Sequence, residues 1–489
     1  MEKFQIPSEV SRVTKVLKDS GFEAFLVGGC VRDLFMNRKP KDWDITTNAT
    51  PEQIIPLFDK TFYENSFGTV AIVNEDAADE SLRVIEVTPY RVESSYSDHR
   101  RPDEVHFSDT IQDDLKRRDF TINAIAYESD SGEVVDPFYG IADLARKSIK
   151  AVGDPRERFF EDGLRILRAI RLHVELDFPI DPATEKAIFE NNHIIKDISR
   201  ERVRDELTKI IMSDRPMNGF LALKKLGILQ HVIPELDQTA GVEQRGTHIY
   251  DVWTHLLKSL QHSADKGYPL HVRLSALFHD ISKPETRRFD QNSQEYTFYG
   301  HEVVGSRVTK KILENLRFSR ETIDRVTRLV RWHMFFSDTE QITLSAVRRL
   351  IANVGKDNIW DLINVRICDR IGTGRPKENP YRLRKYQAMI EEALRDPISV
   401  GMLKTNGTRV IGLLEIDPGP KIGFILNALL EEVLEDPTLN TEEYLDKRTR
   451  ELSMLSVIDL QALAEKGKAK KEELEEGEIG KIRNRHHVK

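Results

Sequence analysis

The chain has 489 residues, 31% of them charged, and a net charge of −8 at pH 7. That length exceeds what one hydrophobic core normally serves and predicts about two to four domains, while the negative balance argues against non-specific nucleic-acid binding, so any polyanion site must be a local basic face. The start MEKFQIPSEV is polar, no apolar run reaches membrane-spanning length, and the two cysteines, Cys30 and Cys368, form no CxxC pair, which together predict a soluble protein of the reducing cytoplasm with no membrane partner.

Up to about residue 136, short β-rich runs such as EAFLVGG, GTVAIV and LRVIEVTPY mix with amphipathic segments, which predicts helices and strands sharing one sheet. In FLVGGCVRDLFMNRKPKDWDIT, Phe25 to Thr46, an apolar run stops at Gly28-Gly29, passes through Arg32-Asp33 and resumes with Asp42 and Asp44 alternating with Trp43 and Ile45. Glycine pairs weaken regular structure, and acids in an apolar strand are costly. Strand alternation puts Asp42 and Asp44 on one face, where two carboxylates can share hard cations, as two-metal phosphoryl or nucleotidyl transfer requires. Gly28-Gly29 at a strand–helix junction lets backbone N–H groups approach a triphosphate, and Arg32 adds charge. Singly, the glycines read as a tight turn and the acids as an exposed edge; their order and spacing point to a site.

RRDFTINAIAY, at 117 to 127, sets Arg118 beside Asp119, a donor fork next to an acceptor that can hold a ribose 2′-hydroxyl, with Asn123 a helical turn later. Read alone, it is more readily a helix start with a local ion pair. From Asp154 onward nearly everything has helical period: EDGLRILRAIRLHVEL, ERVRDELTKIIM and NGFLALKKLGILQHVI form one block. In EDGLR, Asp162 and Arg165 stand at i and i+3. Cytosine and adenine both present an amino donor beside a ring-nitrogen acceptor, the reverse of uracil and guanine, so a carboxylate and a guanidinium together select CTP and ATP without a template. Alone, the pair is a surface salt bridge. Arg168 and Arg171 continue the basic stripe.

YDVWTHLLKSL, near residue 250, opens a second helical block with His255, His279-Asp280, His301, His333 and Asp369 on successive segments. Imidazoles and carboxylates on several helices of one bundle can ligate one or two divalent metals, and Lys283 is placed to meet a phosphate. Further helices follow residue 378, including GPKIGFILNALLEEVLEDP, before a charged tail too polar to pack.

LVGGCVRDLFMNRKPKDWDI resembles the nucleotidyltransferase signature of the DNA polymerase β superfamily, in its class II tRNA nucleotidyltransferase and bacterial poly(A) polymerase branch. RRDFTINAIAY resembles that branch's ribose-selecting motif, DPFYG at 136 to 140 its hinge, and EDGLR its nucleotide-selecting motif. The resemblance implies a third catalytic carboxylate, for which Glu86 in RVIEVTPY is the natural candidate. The order His, His-Asp, His, His, Asp resembles the HD phosphohydrolase domain. DHRRP, within the polar stretch Tyr96–Phe107, resembles a mobile element associated in related enzymes with addition of the final A, and the C-terminal helices are implied to grip tRNA.

The fold expected is α+β: a polymerase β-like head with one mixed sheet, then an all-helical body including an HD domain. The boundaries expected are a head at 1–140, a nucleotide-selecting and tRNA-binding neck at 141–240, the HD domain at 241–377, a C-terminal tRNA-binding region at 378–456 and a disordered tail at 457–489. The activity implied is addition of CCA to the tRNA 3′ end from CTP and ATP, with Mg²⁺ on Asp42 and Asp44 and an unidentified divalent metal in the HD domain. Alternatives are a poly(A) polymerase, an enzyme adding only CC or only A, or a stand-alone HD nucleotide phosphohydrolase.

Overall fold

The computed structural model describes residues 3–64, 68–94, 104–244, 249–291, 294–335, 342–461 and 463. Of the stretch Tyr96–Phe107, residues 96–103 lie outside the described residues, and of the tail expected to be disordered at 457–489, residues 457–461 are helical with Leu460 fully buried, while those from 464 on lie outside the described residues. The chain divides into two compact units, Met1–Asp237 with Asn315–Arg317, and Gln238–Glu314 with Phe318–Lys489.

The first unit is built on a seven-stranded sheet. Its strands are β1 (Phe25–Val27), β2 (Asp44–Thr47), β3 (Thr61–Glu64), β4 (Thr69–Val73), β5 (Val84–Pro89), β8 (Ala126–Tyr127) and β9 (Val134–Val135), in the order β3-β4-β5-β2-β1-β8-β9. The sheet is mixed: β2 and β5 run parallel, and every other neighbouring pair is antiparallel. β6 (Arg91–Ser94) and β7 (Glu104–Phe107) form a separate two-stranded sheet. Along β5, Ile85 and Val87 are fully buried while Glu86 between them is exposed, the period-2 alternation of a strand with one buried face.

Parallel register pairs Asp44 with Glu86, and residues paired this way project from the same sheet face. Asp42 precedes β2 instead of lying within it, which corrects the expected alternation: the chain enters the strand at Asp44. Helix Ser8–Asp19 buries Val10, Val13 and Leu17, a 3-4 spacing that forms one apolar stripe. Beyond the sheet, the unit becomes helical, and Leu164–Leu176 packs against Arg200–Met212.

The second unit is a helical bundle in which Val252–Asp265 packs against Ile359–Gly372 and Leu270–Phe278. Among the described residues it also carries a hairpin, β10 (Arg288–Asp290) with β11 (Glu295–Thr297), where the sequence predicted helices alone. Further along, Ile425, Leu429, Val433, Leu445 and Leu452 close a separate apolar cluster between Pro420–Glu435 and Glu442–Ser453. Both cysteines are buried and unbridged. Among the described residues, no helix is long and apolar enough to cross a membrane.

Candidate functional site

The first unit contains a cleft of about 1000 Å³ lined by Asp42, Asp44 and Glu86 on one side and by Asp162, Arg165 and Arg168 on another. Gly28, between β1 and the helix Gly29–Phe35, adopts φ 80°, a left-handed conformation that favours glycine. A side chain there would also meet Arg118 Nη1 at 3.1 Å and Asp44 Oδ2 at 3.4 Å. The glycine thus admits a guanidinium beside the acidic strand.

Burial, then repulsion from Asp42 and Glu86, pushes the Asp44 carboxyl up to about 7 against the pull of Arg118. A carboxylate that resists ionisation beside other acids is one whose charge a nearby cation would stabilise.

Arg118 and Asp119 diverge rather than forming a fork. Arg118 donates through Nε and Nη2 to Asp114 Oδ2 at 3.3 and 2.9 Å. Asp114 also binds Arg117, and its side chain is fully buried; burial alone would raise its carboxyl, but the two guanidinium groups hold it below the usual range. Asp119 accepts from Arg168 Nε at 2.7 Å and from Asn123 Nδ2 at 3.2 Å. Against burial, Arg168 and then Asn123 hold the Asp119 carboxyl well below the usual range. Asn123 closes a 3-10 turn, Thr121–Asn123, not the α-helical turn the spacing predicted, and its Oδ1 accepts from Arg32 Nη1 at 2.9 Å.

Asp162 and Arg165 do not share a helix. Asp162 is extended, φ −143°, where the helix Pro155–Glu161 ends, and the next helix begins at Leu164. The i,i+3 rule therefore does not apply, and each group has its own partner. Asp162 Oδ1 accepts from Leu164 N at 3.0 Å and its Oδ2 from Arg202 Nη2 at 2.7 Å. Arg165 pairs with Glu161 at 2.5 Å and donates to the carbonyls of Arg158 and Arg117 at 3.0 and 2.9 Å. Sequence reasoning missed Asp114, Glu161 and Arg202. The i,i+3 and i,i+4 spacing in DDLKRR was a signal for Asp114; Arg202, forty residues from its partner, carried none. Arg171 pairs with Glu206.

The second unit brings all six predicted metal-site residues together. His255, His279 and Asp369 form one group and Asp280, His301 and His333 another, all buried. His255 Nε2 lies 2.8 Å from His279 Nε2 and 3.5 Å from Asp369 Oδ1. Asp280 faces both groups: Oδ2 is 3.2 Å from His255 Nε2, and Oδ1 is 3.1 Å from His301 Nε2 and 3.6 Å from His333 Nε2. The Nδ1 atoms of His279, His301 and His333 sit 2.9, 2.7 and 2.7 Å from the carbonyls of Ala276, Phe298 and Val330. Those contacts engage each Nδ1 with a backbone carbonyl and turn the Nε2 atoms toward Asp280, the preparation that metal-ligating histidines show. The buried Nε2 atoms of His301 and His333 make no hydrogen bond.

Burial pushes His333 down to about 4, so it is neutral, as a ligand must be. Against burial, Asp280 and then Asp369 push His279 up to about 10; the carboxylates demand a positive charge that a proton supplies when an ion does not. The residues fit one or two divalent ions. Lys283, expected to meet a phosphate, is buried and bonds Asp280 Oδ2 at 2.6 Å and the Gln244 side chain. Gly372, one turn after Asp369, allows the helices carrying Asp369 and His255 to touch: a Cβ there would overlap Ser259 Oγ and stand 2.8 Å from the His255 carbonyl oxygen.

A mixed sheet carrying Asp44 and Glu86, with Asp42 just before β2, beside a basic cleft and followed by a helical extension, has the form of a nucleotidyltransferase head. Three family descriptions match in order: "Poly A polymerase head domain" over residues 24–150, "Probable RNA and SrmB- binding site of polymerase A" over 177–239 and "HD domain" over 245–371. The CC-adding tRNA nucleotidyltransferase of Thermus thermophilus is 32% identical over 436 residues, 86% of this chain and 92% of that protein. The CCA-adding enzyme of Limosilactobacillus reuteri is 43% identical over 220 residues, 45% of this chain; that match spans about half of the relative's length, 53%. A crystal structure of the Bacillus stearothermophilus CCA-adding enzyme in complex with CTP superposes with a TM-score of 0.66 at 25% identity, covering 92% of this chain and 98% of that one. The chain belongs to the tRNA nucleotidyltransferase family, with an HD domain in its second unit.

Proposed function

We propose that this protein extends the 3′ end of tRNA by template-independent addition of C, C and A from CTP and ATP in the cytoplasm. The observation that carries the reading is the register of β2 on β5, which sets Asp44 beside Glu86 at the edge of the same cleft that Asp162 and Arg165 line. In the reaction, the tRNA 3′-hydroxyl attacks the α-phosphorus of the nucleoside triphosphate, loses its proton and displaces pyrophosphate. Asp42, Asp44 and Glu86 would hold Mg²⁺, which supplies charge neutralisation for the attacking and leaving oxygens. Gly28, Gly29, Arg32, Arg118 and Arg168 would surround the triphosphate and ribose, in a cleft organised by Asp119 and Asn123. Asp162 and Arg165 would read the amino group and ring nitrogen shared by cytosine and adenine, after exchanging part of their present ion pairing for the base.

The division proposed along the chain is the head at 1–140, the neck at 141–240, the HD domain at 241–377 and a C-terminal tRNA-binding region at 378–456. The HD domain would be a metal-dependent phosphohydrolase, with Lys283 released from Asp280 to meet the phosphate.

A second reading, addition of CC alone, is favoured by the Thermus relative, whose match covers most of both chains. The deciding experiment offers tRNA lacking its 3′ end, tRNA ending in CC, and unstructured RNA, each with single nucleoside triphosphates. Addition of C to the first, A to the second and neither to the third supports CCA synthesis. Inert CC-ending tRNA establishes the CC reading; tailing of unstructured RNA with A establishes a poly(A) polymerase.

A further inference from the structure

We infer that Asn123 does not touch the ribose but is a positioning residue, a strut tying the triphosphate side of the cleft to the helix that carries Arg165. The inference rests on reading the cleft as a nucleoside triphosphate site. Asn123 is 7% exposed. Its oxygen accepts from Arg32 Nη1 at 2.9 Å, and its nitrogen donates to Asp119 Oδ1 at 3.2 Å.

Both ends of this link are held in turn. Arg32 donates through Nε and Nη2 to Asp33 Oδ1 at 3.0 and 2.8 Å. Asp119 Oδ1 also accepts from Phe120 N at 2.8 Å, and Oδ2 accepts from Arg168 Nε at 2.7 Å and lies 2.6 Å from its Nη2 as an ion pair. Three hydrogen bonds and the second guanidinium nitrogen of Arg168 therefore crowd the carboxylate, which leaves a ribose hydroxyl little access to it. Arg168 lies one turn beyond Arg165 on the helix Leu164–Leu176.

The chain Asp33, Arg32, Asn123, Asp119, Arg168 needs an amide at its centre. An amide presents oxygen to a guanidinium at one end and N–H to a carboxylate at the other; a carboxylate would repel Asp119, and an aliphatic group would satisfy neither. At its far end, Arg32 reaches the acidic edge: the position a Gly29 Cβ would occupy is 3.7 Å from Arg32 Nη2 and 3.8 Å from Asp42 Oδ1. Loss of the strut frees Arg32, and with it the triphosphate contact, before it affects any sugar.

Inorganic triphosphate, which has neither ribose nor base, separates the two roles. Asn123→Leu, similar in size, and Asn123→Ala, carried in parallel should the larger side chain disturb folding, are compared with wild type. Inhibition by triphosphate is expected to weaken about tenfold, the scale of one lost charge-assisted hydrogen bond. KM for CTP and for dCTP should rise together, with the preference for CTP over dCTP held within about twofold. In an Arg32→Gln background, Asn123→Leu should add no further loss, because the strut then has nothing to hold. Collapse of the CTP preference with unchanged triphosphate inhibition would make Asn123 a ribose contact, and additive losses in the double variant would detach it from Arg32; either overturns the inference. If wild type itself binds neither CTP nor triphosphate, the nucleotide reading of the cleft fails and takes the strut with it.

Discussion

Gly372→Ala tests whether the histidine cluster depends on the close approach of two helices. A Cβ at this position stands 2.8 Å from the His255 carbonyl oxygen and 3.0 Å from His255 Nδ1, and it overlaps Ser259 Oγ. Relief to an ordinary contact of roughly 3.5 Å requires Ile359–Gly372 and Val252–Asp265 to part by roughly 0.7 Å. Overpacking of this kind costs about 1–3 kcal/mol, a fall of several degrees in Tm for a unit of this size. The larger consequence falls on the site. His255 Nε2 and Asp369 Oδ1, now 3.5 Å apart, ride on the two separating helices, whereas metal–ligand distances tolerate only about 0.2 Å. Divalent-metal affinity should drop about 10–100-fold, the range seen when ligand orientation is disturbed. The assay is a Co²⁺ titration followed by visible absorption, which reports imidazole ligation, in an Asp44→Ala background so that the head does not contribute. Adding Ser259→Ala should recover part of the affinity, since it removes the nearest side-chain atom but leaves the carbonyl. Wild-type Co²⁺ affinity in Gly372→Ala would refute the argument that helix proximity sets the site.

Asp42→Ala or Asp44→Ala should reduce nucleotide addition to less than about a hundredth, roughly 3 kcal/mol or more in barrier, with tRNA binding measured by filter retention nearly unchanged; smaller losses remove these acids from the metal site. Asp162→Ala should erode rejection of UTP and GTP more than it raises KM for CTP, read by single-turnover incorporation, and unchanged selectivity would end its base-reading role. Burial alone would raise the Glu128 carboxyl, but hydrogen bonds from Lys18 and Ser131 bring it down to about 2. A folded pKa below the unfolded value of about 4.3 contributes stability above that pH, which is lost as pH falls toward 2. Lys18→Met should therefore cost stability at neutral pH and flatten the loss between pH 4 and 2, as followed by acid titration of far-UV circular dichroism; an unchanged profile removes Lys18 as the cause.

The sequence alone determined whatever depends on local period and residue chemistry. The β-rich run LRVIEVTPY marked β5, helical period marked the helices, and Gly28-Gly29 before DxD marked a junction where backbone must approach something closely. The histidine set was legible because imidazoles and carboxylates recurring on successive helices have few other uses, and all six residues meet. Local patterns failed wherever the partner was remote or a helix was interrupted. The i,i+3 reading of Asp162 and Arg165 assumed continuous helix, but the chain breaks at Asp162, so the two groups answer to Arg202 and Glu161 instead. The fork expected of Arg118 and Asp119 assumed that neighbours in sequence act together, whereas packing sends one to Asp114 and the other to Arg168. Only the tertiary structure decided that Asp44 lies beside Glu86, because strand register is set by the whole sheet, and only it could show that the carbonyl-bound histidines of the second unit turn their Nε2 atoms toward Asp280.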